Sequence, residues 1–506
     1  MDFLSIAVEN MSLGLATALT PTNFFYCFLG VFLGMLVGVI PGIGALAAIS
    51  LLFPLTFQIE PGTALIMLAG IYYGTAYGGS TAAILLNVPG TPSSAVTCLD
   101  GYPLAKQGRG GVALLLTTTS SFIAGSIGIV LMMFFSPLIV DVAIGFTSAD
   151  YFSVMLLGLV AASIISDSSV LKGLIMIVLG AFWGSIGMDM YTGTERFSFG
   201  SPDLIEGISI VALAIGLFGV AEIIASVPTV VDGEVKSVSM RSMIPTKDDV
   251  RRSWLPTLRG SMIGSFFGTL PGTGASVASF MSYALEKQIS REPKRFGKGA
   301  IEGLCAPEAA NNAADQTAFI PTMTLGIPGS ATMALMLGVL MIHGITPGPT
   351  VMVQHPEMFW GLVMSFWIGN LILLLLNIPL IGLWVRVLQI PYPILYPAII
   401  MFICMGVYSV NNSTFEVWLV LGFGVLGYFL RTQGYPLAPM LLGFVLSPLI
   451  EENFRRALII SGGDATTFFR EPVSVVALSL TLLLLAYGLF KAVRGGQQNV
   501  AQSSEA

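Results

Sequence analysis

Strongly apolar runs, each close to the roughly 20 residues that span about 30 Å of hydrocarbon, recur at 112–135, 168–188, 206–227, 357–380, 392–409 and 473–491. No feature constrains the chain more. A bilayer core holds no water to satisfy free backbone groups, so a chain built from such runs must close its hydrogen bonds within helices. Composition agrees: of 506 residues 55% are hydrophobic and 10% charged, where soluble globular proteins carry about 25% charged residues. The expected fold class is an all-α polytopic membrane protein with about 10–12 transmembrane segments.

Two Pro-Gly breaks interrupt further apolar stretches, and both recur. An offset of 230 residues sets Gly34, Gly38, Pro41, Gly42, Gly44, Ala45 and Ala48 over Gly264, Gly268, Pro271, Gly272, Gly274, Ala275 and Ala278. An offset of 239 sets Leu86, Pro89, Gly90 and Ala95 over Leu325, Pro328, Gly329 and Ala334. Non-helical backbone at membrane depth is tolerated where it faces protein or a water-filled cavity. Paired Gly/Pro-interrupted segments in two halves point to a transporter binding site near the midplane.

Lys and Arg favour cytoplasmic loops. The loop Glu286 to Lys298 carries Lys287, Arg291, Lys294, Arg295 and Lys298, whereas its counterpart, Leu55 to Gly62, carries none. Lys106 and Arg109 lie in Gly101 to Gly110, and His343 to Glu357 again has no Lys or Arg. Both loop pairs predict inverted copies. About ten to thirteen residues flank the first break on each side, too few for a span per arm. This spacing predicts a re-entrant hairpin in each copy; one kinked, continuous helix is the competing reading.

The expected organisation is an N-terminal interfacial segment over 1–22 and repeat one over 23–227, with hairpin 31–57, broken helix 63–99 and scaffold spans 112–227. A cytoplasmic linker, 228–259, leads to repeat two over 260–450, with hairpin 260–285, broken helix 300–341 and scaffold spans 357–450. An outer segment and last span occupy 451–493, and a Gln/Ser-rich tail over 494–506 reads as disordered. The expected orientation puts the N-terminus outside and the C-terminus inside.

Polar residues gather near the breaks. Lys and Arg are absent before Lys106 and between Lys298 and Arg386, so an anion there must be held by helix N-termini and hydroxyl or amide groups. The candidate substrate residues are Gly42, Gly44, Asn87, Pro89, Gly90, Thr91, Ser93, Gly272, Thr273, Gly274, Asn311, Asn312, Gly329 and Ser330. Half-helix C-termini and unwound carbonyls suit Na+, with candidate positions near Gly42, Asn87, Thr273, Asn311, Asp315 and Thr324. Each Ser or Thr also has a plain structural reading, a bond back to its own helix. Glu308 and Asp315 are the strongest carboxylates for ion coupling, since intramembrane acids are costly and usually functional; the alternative sets this segment, hydrated, at the inner surface. The four cysteines form no C-x-x-C pair and read as packing residues.

The motifs Gly38-Val39-Ile40-Pro41-Gly42-Ile43-Gly44, Tyr77-Gly78-Gly79-Ser80, Asn87-Val88-Pro89-Gly90-Thr91-Pro92 and Leu270-Pro271-Gly272-Thr273-Gly274 carry a family resemblance. Further along, Pro307-Glu308-Ala309-Ala310-Asn311-Asn312-Ala313-Ala314, Leu325-Gly326-Ile327-Pro328-Gly329-Ser330 and Tyr435-Pro436-Leu437-Ala438-Pro439 extend it. Taken together they resemble TctA, the large membrane subunit of the tripartite tricarboxylate transporters, over nearly the whole chain. Asp315-Gln316-Thr317 departs from the small-residue run expected there. The resemblance implies a bacterial inner-membrane permease and a carboxylate substrate such as citrate, with uptake driven by Na+ or H+. It also implies two partners, a small four-helix membrane subunit (TctB-like) and a periplasmic solute-binding protein (TctC-like). No cofactor or nucleic acid is expected. The hairpin-plus-broken-helix pattern is similar to elevator carriers by analogy of architecture.

A channel built from broken helices is the rival class, and would need a continuous polar pore. An intramembrane enzyme fits poorly. The chain has no Gly-x-Ser-x-Gly and no His-Glu-x-x-His, and its two histidines, His343 and His355, fall in one expected outer loop.

Overall fold

The computed structural model describes residues 3–40, 44–165, 169–226, 240–270, 274–387 and 392–504. These residues are predominantly helical, and their strand content is a two-residue antiparallel ladder, Gly187–Met188 against Glu195–Arg196. Five helical stretches are long and apolar enough to cross a membrane: Pro21–Val39, Pro92–Ala143, Pro356–Asn377, Thr414–Thr432 and Leu437–Ile460. Shorter apolar helices of 10–17 residues accompany them.

Helix Pro21–Val39 starts where Thr20 accepts a hydrogen bond from the Asn23 N–H and Pro21 sets the first turn. It packs alongside Pro61–Leu86 through glycines. A Cβ on Gly30, Gly34 or Gly38 would lie 2.2, 2.4 and 2.5 Å from the carbonyl oxygens of Met67, Ile71 and Thr75. The two numberings rise together, so the helices run parallel. The chain between them, Ala45–Leu52 and the 3-10 turn Phe53–Gln58, therefore runs back to the starting end.

The same arrangement recurs between Lys247–Gly268 and Ile301–Thr317. A Cβ on Gly260, Gly264 or Gly268 would lie 2.2, 2.1 and 2.5 Å from the carbonyls of Ala306, Ala310 and Ala314. Each of these pairs is a first-copy pair displaced by the two offsets read from the sequence. The return segment here is Gly274–Ile289, fastened where Arg259 donates to Glu286 at 2.5 and 2.9 Å.

Between the copies the direction reverses. The Tyr72 hydroxyl donates to Asp315 at 2.5 Å and the Ser80 hydroxyl to Glu308 at 2.7 Å. Helices Pro61–Leu86 and Ile301–Thr317 are thus antiparallel. At one end of Pro61–Leu86, Thr63 donates to Asn23 at 2.5 Å, and a cavity of about 230 Å³ lies between Glu60, Thr63, His355 and Glu357. At the other, about 39 Å away for a helix of this length, the Gln107 amide donates to the Lys298 carbonyl at 2.9 Å and Arg109 pairs with Asp249 at 2.6 Å. There Asp100, fully buried, accepts from the N–H groups of Gly297, Gly299 and Ala300 at 2.9, 2.8 and 2.7 Å.

Several expected boundaries shift. The helix before each first break is about twice the expected length, because Pro21 and Lys247, not Val31 and Gly260, open the helices. Residues 247–259, read as linker, form the first half of Lys247–Gly268, capped by a reciprocal Thr246–Asp249 box. Helix Phe3–Ala18 lies against Pro356–Asn377, with Gly14 beside Trp360 and Gly361 beside Thr17. Helix Pro472–Ser504 continues through most of the tail read as disordered, where Gln and Ala are competent helix formers. A second group of helices comprises Ser148–Ile165, Val170–Gly184, Leu437–Ile460 and Pro472–Ser504.

Candidate substrate and ion site

Helix Pro61–Leu86 stops at Asn87, which takes the left-handed conformation at φ 60°. The residue 239 positions later, Gly326, ends Phe319–Leu325 the same way at φ 71°. That conformation costs most L-residues roughly 1–2 kcal/mol and is routine for Gly and accessible to Asn. Asn87 thus has a backbone reason to be there, legible in the sequence once it is set over Gly326.

Asn87 also stands apart from the other break residues, contrary to the expectation that it lines the site. Leu85 lies beside Gly110 at the Lys106–Arg109 end, and Asn87 is exposed there. The chain then doubles back. A Cβ on Gly90 would fall 2.4 Å from the Gly38 carbonyl and 2.5 Å from the Gly79 Cα. From residue 79 to residue 86 a helix rises about 10 Å, so the turn at Asn87 lies about that far beyond the level at which Gly90 returns to Gly79.

At the level of Gly90, helices begin. Gly44 caps Ala45–Leu52, and its Cβ would stand 4.0 Å from the Gly90 carbonyl and from Pro92. The Thr91 N–H donates to Ser94 at 3.1 Å and the Thr91 and Ser93 hydroxyls are 3.1 Å apart at the start of Pro92–Ser94 and Ala95–Leu104. Gly274, at φ 59°, opens Gly274–Ile289, which packs on Pro92–Ser94 and further along donates from Tyr283 to Asp100 at 3.1 Å. Ser330 caps Ala331–Ile342, accepting from the Met333 N–H at 3.3 Å, and this helix packs on Ala45–Leu52. A Cβ on Gly329 would lie 3.5 Å from the Gly268 carbonyl, facing it as Gly90 faces Gly38 but with room to spare.

The starts at Gly44 and Thr91 thus adjoin, and the helices that start at Gly274 and Ser330 pack on these same two elements. The first N–H groups of a helix lack partners within it and carry about half a positive charge together. Such helix starts attract an anion without Lys or Arg. Pro89 belongs to the turn between Asn87 and Gly90, whereas Gly42, Gly272 and Thr273 lie outside the described residues.

Of the remaining candidates, Asn311, Asn312, Glu308 and Asp315 sit on helix Ile301–Thr317, and Thr324 on Phe319–Leu325. Glu308 and Asp315 are buried at 0% and 3% exposure, which decides against a hydrated inner-surface segment. Asn312 donates to Ser121 at 2.8 Å, to the Glu308 carbonyl at 3.0 Å and to Asn311 at 2.6 Å. These amides join a buried polar layer between helices rather than a break, contrary to the expectation that they flank one. Thr324 donates to the Ile320 carbonyl of its own helix at 2.7 Å, the plain structural reading. Thr97, donor to Glu308, was absent from the sequence-based candidates; a hydroxyl in an apolar run gives no signal until the facing carboxylate is known.

The family model of the "Tripartite tricarboxylate transporter TctA family" matches residues 24–442. The chain belongs to this family. It is therefore a multi-pass membrane protein of a transporter class, and the four recurring Pro-Gly pairs fall inside the matched TctA region. A relative from Agrobacterium vitis, the "Uncharacterized 52.8 kDa protein in TAR-I ttuC' 3'region", is 49% identical over 493 residues, covering 97% of this chain and 98% of that protein. A second A. vitis relative, "Uncharacterized protein in TAR-II ttuC' 3'region", is 52% identical over 237 residues, 47% of this chain and 98% of its own length. No solved structure matches.

Proposed function

We propose that this TctA-family chain is the large permease subunit of a carrier that imports a di- or tricarboxylate across the bacterial inner membrane, driven by a Na+ or H+ gradient. The observation that carries this is that the helices starting at Gly274 and Ser330 pack on those starting at Thr91 and Gly44, with no Lys or Arg in 44–104, 274–286 or 331–342. Carboxylate groups would take the free N–H groups of Gly44, Ser93, Gly274 and Ser330, with the Thr91 and Ser93 hydroxyls at the rim. The antiparallel course of Pro61–Leu86 and Ile301–Thr317 supports two inverted repeats, each a re-entrant hairpin plus a broken helix. Inverted repeats allow one site to face each side in turn, as in an elevator. The N-terminus then lies outside and the C-terminus inside. The subunit works with a small four-helix membrane protein, and a periplasmic solute-binding protein delivers substrate.

The test is uptake into proteoliposomes holding the permease, the small subunit and the binding protein. A panel of labelled di- and tricarboxylates is presented with the Na+ and H+ gradients clamped separately. Saturable uptake needing one gradient, lost in Gly90→Leu and Gly329→Leu proteins that still enter the membrane, is the expected result. Wild-type uptake by both variants would remove the breaks from the mechanism, and unsaturating single-channel currents would replace the carrier with a pore.

A further inference from the structure

Glu308 stands where three helices meet, its own Ile301–Thr317 from one copy and Pro61–Leu86 and Ala95–Leu104 from the other. The side chain is fully buried. Its Oε2 accepts from the Ser80 hydroxyl at 2.7 Å and its Oε1 from the Thr97 hydroxyl, and both donors are buried as well. Ser121 and Asn311 are within hydrogen-bonding reach. Among the described residues no Lys, Arg or His pairs with it.

A carboxylate buried without a cation is costly, and hydroxyl dipoles offset that cost only in part. The shell is made of oxygen, the donor that hard cations prefer. Charge chooses between them. One carboxylate among neutral groups closes to zero with a monovalent ion, whereas a divalent ion would leave a net positive charge buried.

We propose that Glu308, Ser80 and Thr97 form a binding site for one Na+ ion that enters with the substrate. Ion binding turns the two hydroxyls from donors toward the carboxylate into ligands, joining the two copies through a single cation. Thr97 lies four residues beyond Ser93 on the same stretch of helix. Drawing Thr97 onto Ile301–Thr317 therefore sets the helix start that faces the substrate. Asp315, two turns along and held by Tyr72, is not needed for this site. The proposal deepens the transport reading and rests on it for what the ion is coupled to. Ion binding is therefore measured without substrate or partner subunits, so that the two readings fail separately.

The purified full chain is melted in detergent at mildly alkaline pH against increasing NaCl, with choline chloride or KCl holding the ionic strength. A saturable Na+ stabilisation is expected, weak or absent with K+, and lost in Glu308→Gln. Thr97→Val should raise the half-saturating Na+ concentration by about tenfold or more, whereas Thr97→Ser, which keeps the oxygen, should remain near wild type. The Thr97 pair decides the matter even where Glu308→Gln does not fold. A wild-type protein indifferent to Na+, stabilised by pH alone, would overturn the site in favour of a proton, and an unchanged Na+ response in Glu308→Gln or in Thr97→Val would overturn it outright.

Discussion

Replacing Gly34 with alanine tests the parallel helix pair on which the first copy is built. The new Cβ would lie 2.4 Å from the Ile71 carbonyl oxygen and 2.6 Å from the Ile71 Cα, both backbone atoms that no side-chain rotation can move. Ordinary contact needs about 3.4–4 Å, so the helices must part by about 1 Å. A gap of 0.5–1 Å forfeits a quarter to a half of each dispersion contact along the seam, and overpacking costs typically 1–3 kcal/mol. Against this, alanine gains about 0.5–1 kcal/mol over glycine in a helix interior. The net is a loss of roughly 1–2 kcal/mol. Gly422 supplies the control. It sits within Thr414–Thr432 with nothing near its Cβ direction, so alanine there keeps the propensity gain without the clash. Thermal scans of the two detergent-purified variants should fall on opposite sides of wild type, with Gly264→Ala, 2.1 Å from the Ala310 carbonyl, behaving like Gly34→Ala. A Gly34→Ala protein as stable as wild type would mean that the seam is loose, and the close approach of the two helices would have to be abandoned.

Asp100→Ala should release the 297–300 segment, leaving three backbone N–H groups without their acceptor at about 1–3 kcal/mol for each that stays buried; faster labelling of a cysteine at position 298 is the readout, and unchanged labelling contradicts the anchor. Asn87→Gly should keep both stability and uptake because the left-handed turn is preserved, while Asn87→Val should lose roughly 1–2 kcal/mol, measured by the same thermal scans; equal effects would return the amide to the site. In the turn between the strands Gly187–Met188 and Glu195–Arg196, Asp189 is held well below the usual carboxylate range first by the Arg196 guanidinium, then by the Tyr191 N–H. A depressed carboxylate contributes stability that is present above its unfolded pKa of about 3.9 and disappears as pH falls further. Proteolysis of the 185–209 segment should accordingly be flat across neutral pH and accelerate only below about pH 4; acceleration near pH 6 would disprove the pairing.

The matched glycines were legible in the sequence because they have a purely local cause. Helices that touch backbone to backbone need glycine every fourth residue, and that need leaves the same letters at the same spacing in both copies. The loop charges were legible too, since Lys106, Arg109 and the Glu286–Lys298 group gather at one end, the pattern expected of charges kept out of hydrocarbon. The Thr246–Asp249 capping box was equally present in the letters, but the basic residues after it read as linker and the helix start was missed.

What a break does after it turns was beyond the sequence. The letters of Asn87-Val88-Pro89-Gly90 do not say that the chain rises past Gly79, turns, and comes back to it, which puts the turn at Asn87 about 10 Å beyond the level of Gly90. Nor do they say that Thr97 meets Glu308, 211 residues away. Apolar runs, glycine spacing and loop charge act along the chain and determined a multi-span helical protein. Which helices pack together, and which carboxylate faces which hydroxyl, depend on how the helices cross, and only the tertiary structure decided that.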